Sequence, residues 1–416
     1  MNSIEQAFND LDKIKSYLYQ FADSFAKCSV LDSNETPAAL NEGKYEFLAG
    51  FGCRKQYSGT ASVQLKEAET SGYWKFLSIE YGLISDENLP ADIFEPELVI
   101  YILKNERKFR AVNNGISEEK FRYLLRTLRE LKPEHAEKAP STINFEAACS
   151  RSEYIQTVAR IRNDIRNGKY YEMNYCIEFK SVQRSLPWLT HFLKLNDSSR
   201  APFAAYVKNE DRVVLCSSPE RFLLKAGKRL LSQPIKGTNK RLPGMDNLHQ
   251  LELLKSSEKE MAENVMIVDL VRNDLARICE SGTVKVDELC GAYAYTSVNH
   301  LVSSISGIKK DNIGIADIFE AMYPMGSMTG APKIEVMKHI DLYEKGRRGM
   351  YSGCLGYMTP EGDMDLNVII RSLVYGLSDG ILSYKVGSAI TYDSSEEAEY
   401  EECLLKGNRL SAAFGT

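Results

Sequence analysis

The sequence has no apolar run near the ~20 residues that span a bilayer as a helix. It has five histidines in 416 residues, none at metal-ligand spacing, which argues against a zinc site. It lacks a basic excess: 52 Lys and Arg stand against 57 Asp and Glu, a net charge of −5. No global field is therefore present to draw in nucleic acid. No two of its nine cysteines form a CxxC pair; they are Cys28, Cys53, Cys149, Cys176, Cys216, Cys279, Cys290, Cys354 and Cys403. Their number is odd and most sit in apolar text, as in "VVLCSS", so buried, reduced thiols and a cytoplasmic location are expected. The opening "MNSIEQAFNDLDKIKSYLYQF" carries acids and lacks the basic and apolar regions of a signal peptide. No repeat and no phosphate-loop spacing is visible.

What remains is an ordinary globular composition long enough for two domain-sized cores or one large body. Residues 1–20 have helical patterning, and 43–112 have strand-like content throughout. Residues 117–131 predict a helix capped by Ser117. The polar stretch 132–150, with two prolines, is the expected linker between a region 1–145 and a region 150–416. Beyond it, helices are predicted at 150–168, 247–278, 314–322, 331–345 and 394–414. Strands are predicted at 171–182, 202–233, 282–289, 350–358, 364–376 and 380–390. Strand clusters alternate with long helices without a regular βαβ beat, which predicts an α+β fold of antiparallel sheets covered by helices.

Several constellations could carry chemistry. "EKEMAENVMIVDLVRNDLAR" puts Glu260 and Glu263 on one helix face, and the last helix repeats the device with Glu399 and Glu402. Carboxylates from two helices can converge on a hard cation such as Mg²⁺. ExxE is common on solvated helices, but Glu263 leads into an apolar stretch where an acid needs a partner. "MYPMGSMTGAPK" places Gly326, Ser327, Thr329 and Gly330 ahead of a helix start, either a plain capped turn or an anion site. Glu220 in "CSSPERF" sits at a strand-to-strand turn. Arg371 interrupts the apolar "LNVIIRSLVYG", where a buried anion partner is plausible. His300, in "SVNHLVSSISG", is more often a structural histidine. Lys236, in "QPIKGTNK", is a solvated strand end or a working amine.

Together and in this order, "SPERF", "PIKGT", "AENVMIVDLVRNDLARIC", "VNHLVSSISG", "MGSMTGAPKIEVM", "GMYSGCLGYM", "LNVIIRSLVY" and "EYEECLLKGNRL" resemble the chorismate-utilising enzymes. The likeness runs continuously over about 150–416 and is looser before it. It implies that family's two-subdomain body of stacked antiparallel sheets flanked by helices, with the active site in the cleft between. It also implies roles. Glu263 and Glu402 would hold Mg²⁺, with Glu260 and Glu399 in its water shell. Arg371 and the backbone around Gly387 and Ser388 would bind the enolpyruvyl carboxylate. Glu220 would protonate the departing 4-hydroxyl. Thr238, His300, Gly326, Ser327, Thr329 and Tyr351 would line the pocket.

Lys236 discriminates within the family. Members making anthranilate or isochorismate resemble "P-I/L-A-G-T", and members making 4-amino-4-deoxychorismate resemble "PIKGT". In the latter a lysine adds at carbon 2 as the 4-hydroxyl leaves, and ammonia then adds at carbon 4. The resemblance therefore implies chorismate amination in the route to para-aminobenzoate and folate, with an anthranilate, isochorismate or salicylate synthase as the alternative. A binding subunit without turnover is a third reading. Lys236 must be neutral part of the time, and burial and a nearby Mg²⁺ both lower a lysine pKa. No glutaminase set is recognisable, so ammonia is expected from a separate glutamine amidotransferase subunit. Asn264 stands where the family usually has His. "VGSAI" replaces a glycine run, and "NGKYYEMNYCIEF" keeps only part of the usual GD-x-[FY]-Q-x-N pattern. "SVLDSNE" (29–35) lacks the family's "LLES"-like text, so tryptophan feedback is not expected.

Overall fold

A computed structural model describes residues 3–35, 42–130, 143–296 and 298–414. Most of the expected linker, 132–142, lies outside them, as does residue 131 at the end of the helix before it.

Two antiparallel sheets carry the molecule. The first runs from edge to edge through Ser3–Ala7, Lys108–Asn113, Leu98–Leu103, Tyr45–Phe51, Cys28–Asp32, Phe203–Lys208, Arg212–Ser218, Ser372–Gly376, Ile381–Ile390, Glu172–Val182 and Gly330–Ala331. The second runs through Ile235–Lys240, Val298–Ile308, Arg229–Gln233, Arg221–Ala226, Met364–Val368, Cys354–Met358, Lys75–Ile79, Ala91–Glu95 and Lys55–Gln56. Strands from both sides of residues 132–150 pair in each sheet, as Cys28–Asp32 does with Phe203–Lys208 and Lys75–Ile79 with Cys354–Met358.

The sheets face each other through a shared apolar layer. Leu48, Val99 and Val112 of the first meet Phe76, Phe94 and Tyr357 of the second. Each fully buried side chain of this size contributes about 1.5–3 kcal/mol. The first sheet's core also takes in Phe21, Tyr154 and Phe192 from helices Leu11–Asp23, Arg151–Arg166 and Trp188–Ser199. Helices Glu258–Ile278 and Ile315–Met322 cover the second with Ile267, Leu275 and Phe319.

Five sequence expectations need correction. The strand expected over 364–376 is two strands in different sheets, Met364–Val368 and Ser372–Gly376. Residues 3–7 are an edge strand paired to 108–112, and the helix starts at Leu11, where Asp10 caps it by accepting from the Lys13 amide. Residues 61–69 are a helix within the expected β region. Buried Ala61, Leu65 and Ala68 follow helical spacing there. The helix Trp188–Ser199 had no counterpart in the sequence reading. The single helix expected over 247–278 is two, Asp246–Ser256 and Glu258–Ile278. Ser257 takes an extended backbone and accepts from the Glu260 amide, which starts a new helix.

Candidate active site

Two of the places where the chain passes between the sheets are adjacent, and each carries a charged side chain. Pro219–Glu220 link Arg212–Ser218 to Arg221–Ala226, and residues 369–371 link Met364–Val368 to Ser372–Gly376. The crossings are tied together. The Val368 amide donates to the Glu220 carbonyl, the Ser217 amide to the Arg371 carbonyl, and Ser218 Oγ to the Val368 carbonyl at 2.6 Å. Arg371 has φ +53°, a left-handed backbone that is uncommon away from glycine.

Both side chains open onto a cavity of about 520 Å³. Lys236, Thr238, Glu260, Glu263, His300, Ser327, Tyr351, Gly387, Ser388, Glu399 and Glu402 line it with them. Gly326 and Thr329 do not line it. Thr329 is fully buried and donates to the backbone of its own turn, and a Cβ on Gly326 would stand 2.4 Å from Leu270. That turn is held from behind. Asn174 Nδ2 donates to the Ser327 carbonyl, and Arg348 donates to the carbonyls of Met328 and Asn174 while forking onto buried Glu344.

Glu220 is buried, and burial pushes its pKa up to about 7 against the opposing hydrogen bond from Ser327 and the charge of Lys236. Ser327 Oγ donates to Glu220 Oε1 at 2.6 Å. A carboxyl so tuned holds a proton near neutrality and can deliver it. His300 is held neutral, its pKa lowered to about 3 by burial and the charge of Arg371. It shares a hydrogen bond with Thr238 at 2.9 Å and meets the Tyr295 ring edge-on.

Lys236 lies at a bulge. Ile235 pairs with Val302 and Thr238 with His300, so one extra residue is accommodated at Lys236–Gly237. Gly237 has φ +93°, which strains any side chain there, and a Cβ would stand 3.0 Å from Glu260 Oε2, so that carboxylate would have to give way. Asn264 Nδ2 donates to the Lys236 carbonyl at 3.2 Å. The ammonium pairs with Glu172 Oε1 at 2.9 Å. Burial alone would lower the Lys236 pKa, as the sequence reading expected. The charges of Glu172, Glu263 and Glu220 outweigh it and raise the pKa.

The cavity has two electrical poles. Arg371 makes no ion pair among the described residues, and burial and neighbouring Arg409 lower its pKa. Lys406 adds a third cation beside them and donates to the Gly387 carbonyl. This end suits an anion. At the other end stand Glu260 and Glu263; Glu402 of the final helix, between the two ends, pairs with Lys406 at 2.5 Å, and Glu399 accepts from Ser394. Burial raises Glu260 and pushes Glu263 up to about 7, and its one ion pair among the described residues, with Lys259, is long at 3.9 Å. The donors are all carboxylate oxygen, and an underneutralised pair of acids suits a hard cation. No three His, Cys, Asp or Glu among the described residues stand close enough to enclose an ion. Mg²⁺ needs no more than one or two carboxylates and fills its other positions from water and substrate.

The sequence reading missed Glu172, Asn174, Lys406, Arg409 and the Arg348 fork. Glu172 and Asn174 had a signal in the partial family pattern over 167–174.

The chorismate binding enzyme model matches residues 16–412. The chain belongs to this family. Among similar chorismate binding enzymes, aminodeoxychorismate synthase component 1 of Escherichia coli is 37% identical over 270 residues, 65% of this chain and 59% of that protein. A probable chloroplastic aminodeoxychorismate synthase of Oryza sativa is 42% identical over 262 residues, 62% of this chain and 29% of that one. The matched segment thus spans well under two thirds of either relative. The menaquinone-specific isochorismate synthase of E. coli superposes with a TM-score of 0.81 at 17% identity, covering 99% of this chain and 94% of that one, which establishes the shared fold. Among the described residues no helix is long and apolar enough to cross a membrane, and all nine cysteines are free, eight of them buried.

Proposed function

We propose that this chain is the chorismate-converting component of an aminodeoxychorismate synthase, making 4-amino-4-deoxychorismate for para-aminobenzoate and folate in the cytoplasm. The observation that carries the reading is Lys236. Its amine opens into the same cavity as the proton-bearing Glu220 and the acidic pair of helices. Chorismate is a dianion with two carboxylates. The Arg371 end suits the enolpyruvyl carboxylate, with Ser388 Oγ, itself 3.3 Å from the Tyr154 hydroxyl, and the Gly387 backbone beside it. Glu263 and Glu402 would hold Mg²⁺, with Glu260 and Glu399 behind its waters; bound there, the ion neutralises the ring carboxylate and draws electron density toward it. Lys236 adds at carbon 2 while Glu220 protonates the leaving 4-hydroxyl. Ammonia, supplied by a separate glutamine amidotransferase subunit, adds at carbon 4 and expels the lysine.

Incubation with chorismate, Mg²⁺ and an ammonium salt, followed by a lyase that aromatises aminodeoxychorismate, tests this. The expected product is para-aminobenzoate. Anthranilate formed without the lyase overturns the assignment. Lys236→Ala is expected to abolish aminodeoxychorismate formation with chorismate binding retained.

A further inference from the structure

An attacking amine needs a free electron pair, yet Lys236 is held as an ammonium. The group that could relieve it must touch Nζ and stay out of the chemistry at carbon 4. Charged groups face Lys236 from every element around it: Glu172 from the strand Glu172–Val182, Glu220 from the crossing, Glu260 and Glu263 from one helix, and Glu402 from the last helix. His300 on the neighbouring strand is neutral. Among the described residues only Glu172 is within ion-pair distance of Lys236, at 2.9 Å. Glu172 is fully buried, and its second oxygen, Oε2, is buried with no hydrogen-bond partner. A carboxylate oxygen so enclosed normally has a donor. Glu172 is also not among the residues lining the cavity; it stands behind the amine. It occupies the position at which the pattern over 168–174 would have glutamine, an amide that could accept a hydrogen bond from Lys236 but not its proton.

We propose that Glu172 takes the proton from Lys236 as the lysine attacks and returns it when the lysine is expelled. This inference rests on the lysine-addition reading above. In the first step a proton passes from Nζ to Glu172, and the freed pair forms the bond to carbon 2. The two ring double bonds shift to carbons 1–6 and 4–5. The carbon 4–oxygen bond breaks, and the hydroxide leaves as water with the proton of Glu220. In the second step ammonia bonds to carbon 4, the double bonds shift back, and the carbon 2–nitrogen pair returns to Lys236 as a neutral amine. Glu172 then reprotonates that amine, and the new ammonium at carbon 4 restores the proton of Glu220. The sum is chorismate plus ammonia giving aminodeoxychorismate plus water, and both carboxyls end as they began.

The test mixes enzyme, Mg²⁺ and chorismate without ammonia, quenches in acid at short times, and reads by intact mass the adduct of chorismate less one water. In the wild-type protein the adduct forms at a rate nearly independent of pH on the acid side. In Glu172→Gln the lysine loses its proton to solvent instead. Adduct formation at neutral pH is then expected to slow by about 10²–10⁴-fold and to climb about tenfold per pH unit on the acid side, flattening above about pH 7 where Glu220 loses its proton, with chorismate affinity unchanged. A Gln variant with the wild-type rate and pH profile overturns the inference. Should that variant not fold, Glu172→Asp decides: a slower rate with the wild-type pH profile supports a carboxylate base, and a steep rise with pH overturns it. If the wild-type protein forms no adduct, the lysine-addition reading itself fails. If wild type and Glu172→Gln form it alike, only the role of Glu172 does.

Discussion

Replacing Ser327 with alanine should move the pH dependence of turnover in a direction and by an amount that the geometry fixes. Ser327 Oγ donates to Glu220 Oε1 at 2.6 Å and holds the carboxyl pKa lower than burial alone would. A hydrogen bond to an ionised group contributes about 1.5–3 kcal/mol and one between neutral groups about 0.5–1.5. Losing it costs the carboxylate roughly 1–1.5 kcal/mol more than the carboxylic acid. At about 1.36 kcal/mol per pKa unit, that raises Glu220 by about one unit. The acid works only while protonated, so turnover falls as pH rises through its pKa, which lies at about 7 in the native protein. In Ser327→Ala the falling limb should therefore shift upward by about one pH unit, and in Ser327→Thr, which keeps a hydroxyl, it should stay. The assay is kcat against pH for ammonia-driven turnover, with ammonium adjusted at each pH to hold free ammonia constant. A limb that stays in place or moves to lower pH in the alanine variant refutes the assignment of that limb to Glu220.

Two further outcomes follow from groups around the cavity. Arg348→Met strands the buried Glu344 carboxylate and removes the donors to Met328 and Asn174; a loss of about 3–5 kcal/mol should appear as a lower urea midpoint. Gly387→Ala puts a Cβ 2.8 Å from the Tyr175 carbonyl and 3.2 Å from the Tyr351 hydroxyl, so the cavity wall must shift. A rise in KM for chorismate of about tenfold, from a strain of ~1–3 kcal/mol, should appear in initial rates.

The legible part of the site was local. Glu260 with Glu263, and Glu399 with Glu402, were visible because helical spacing fixes which face two residues share. The antiparallel α+β architecture was visible in strand clusters without a βαβ beat. What escaped depended on residues far apart in the chain. Glu172 and Lys236 are 64 positions apart, and Arg348 is 174 from Asn174, whose carbonyl it holds. No pattern within a window links such pairs. The direction of the Lys236 pKa was misjudged for the same reason, since burial can be guessed from neighbours in sequence and the carboxylates that outweigh it cannot. Ser257 was legible only in hindsight: its side chain can cap, but only the turn it makes in space shows that it does.

The twin crossings between the sheets constrain chain length more than side-chain identity. Glu220 belongs to a link of two residues and Arg371 to a link of three, each pinned at both ends by strands in different sheets. One inserted or deleted residue would break the backbone hydrogen bonds that tie the two links together and displace the carboxyl or the guanidinium from the cavity. The exposed turn at Gly227, between two strands of the same sheet and with no atom within 4 Å of an added Cβ although its φ of +57° favours glycine, is not pinned between two sheets. Over descent, gaps should gather at turns of the second kind and be absent from 219–220 and 369–371, even in lineages where the residues there have changed.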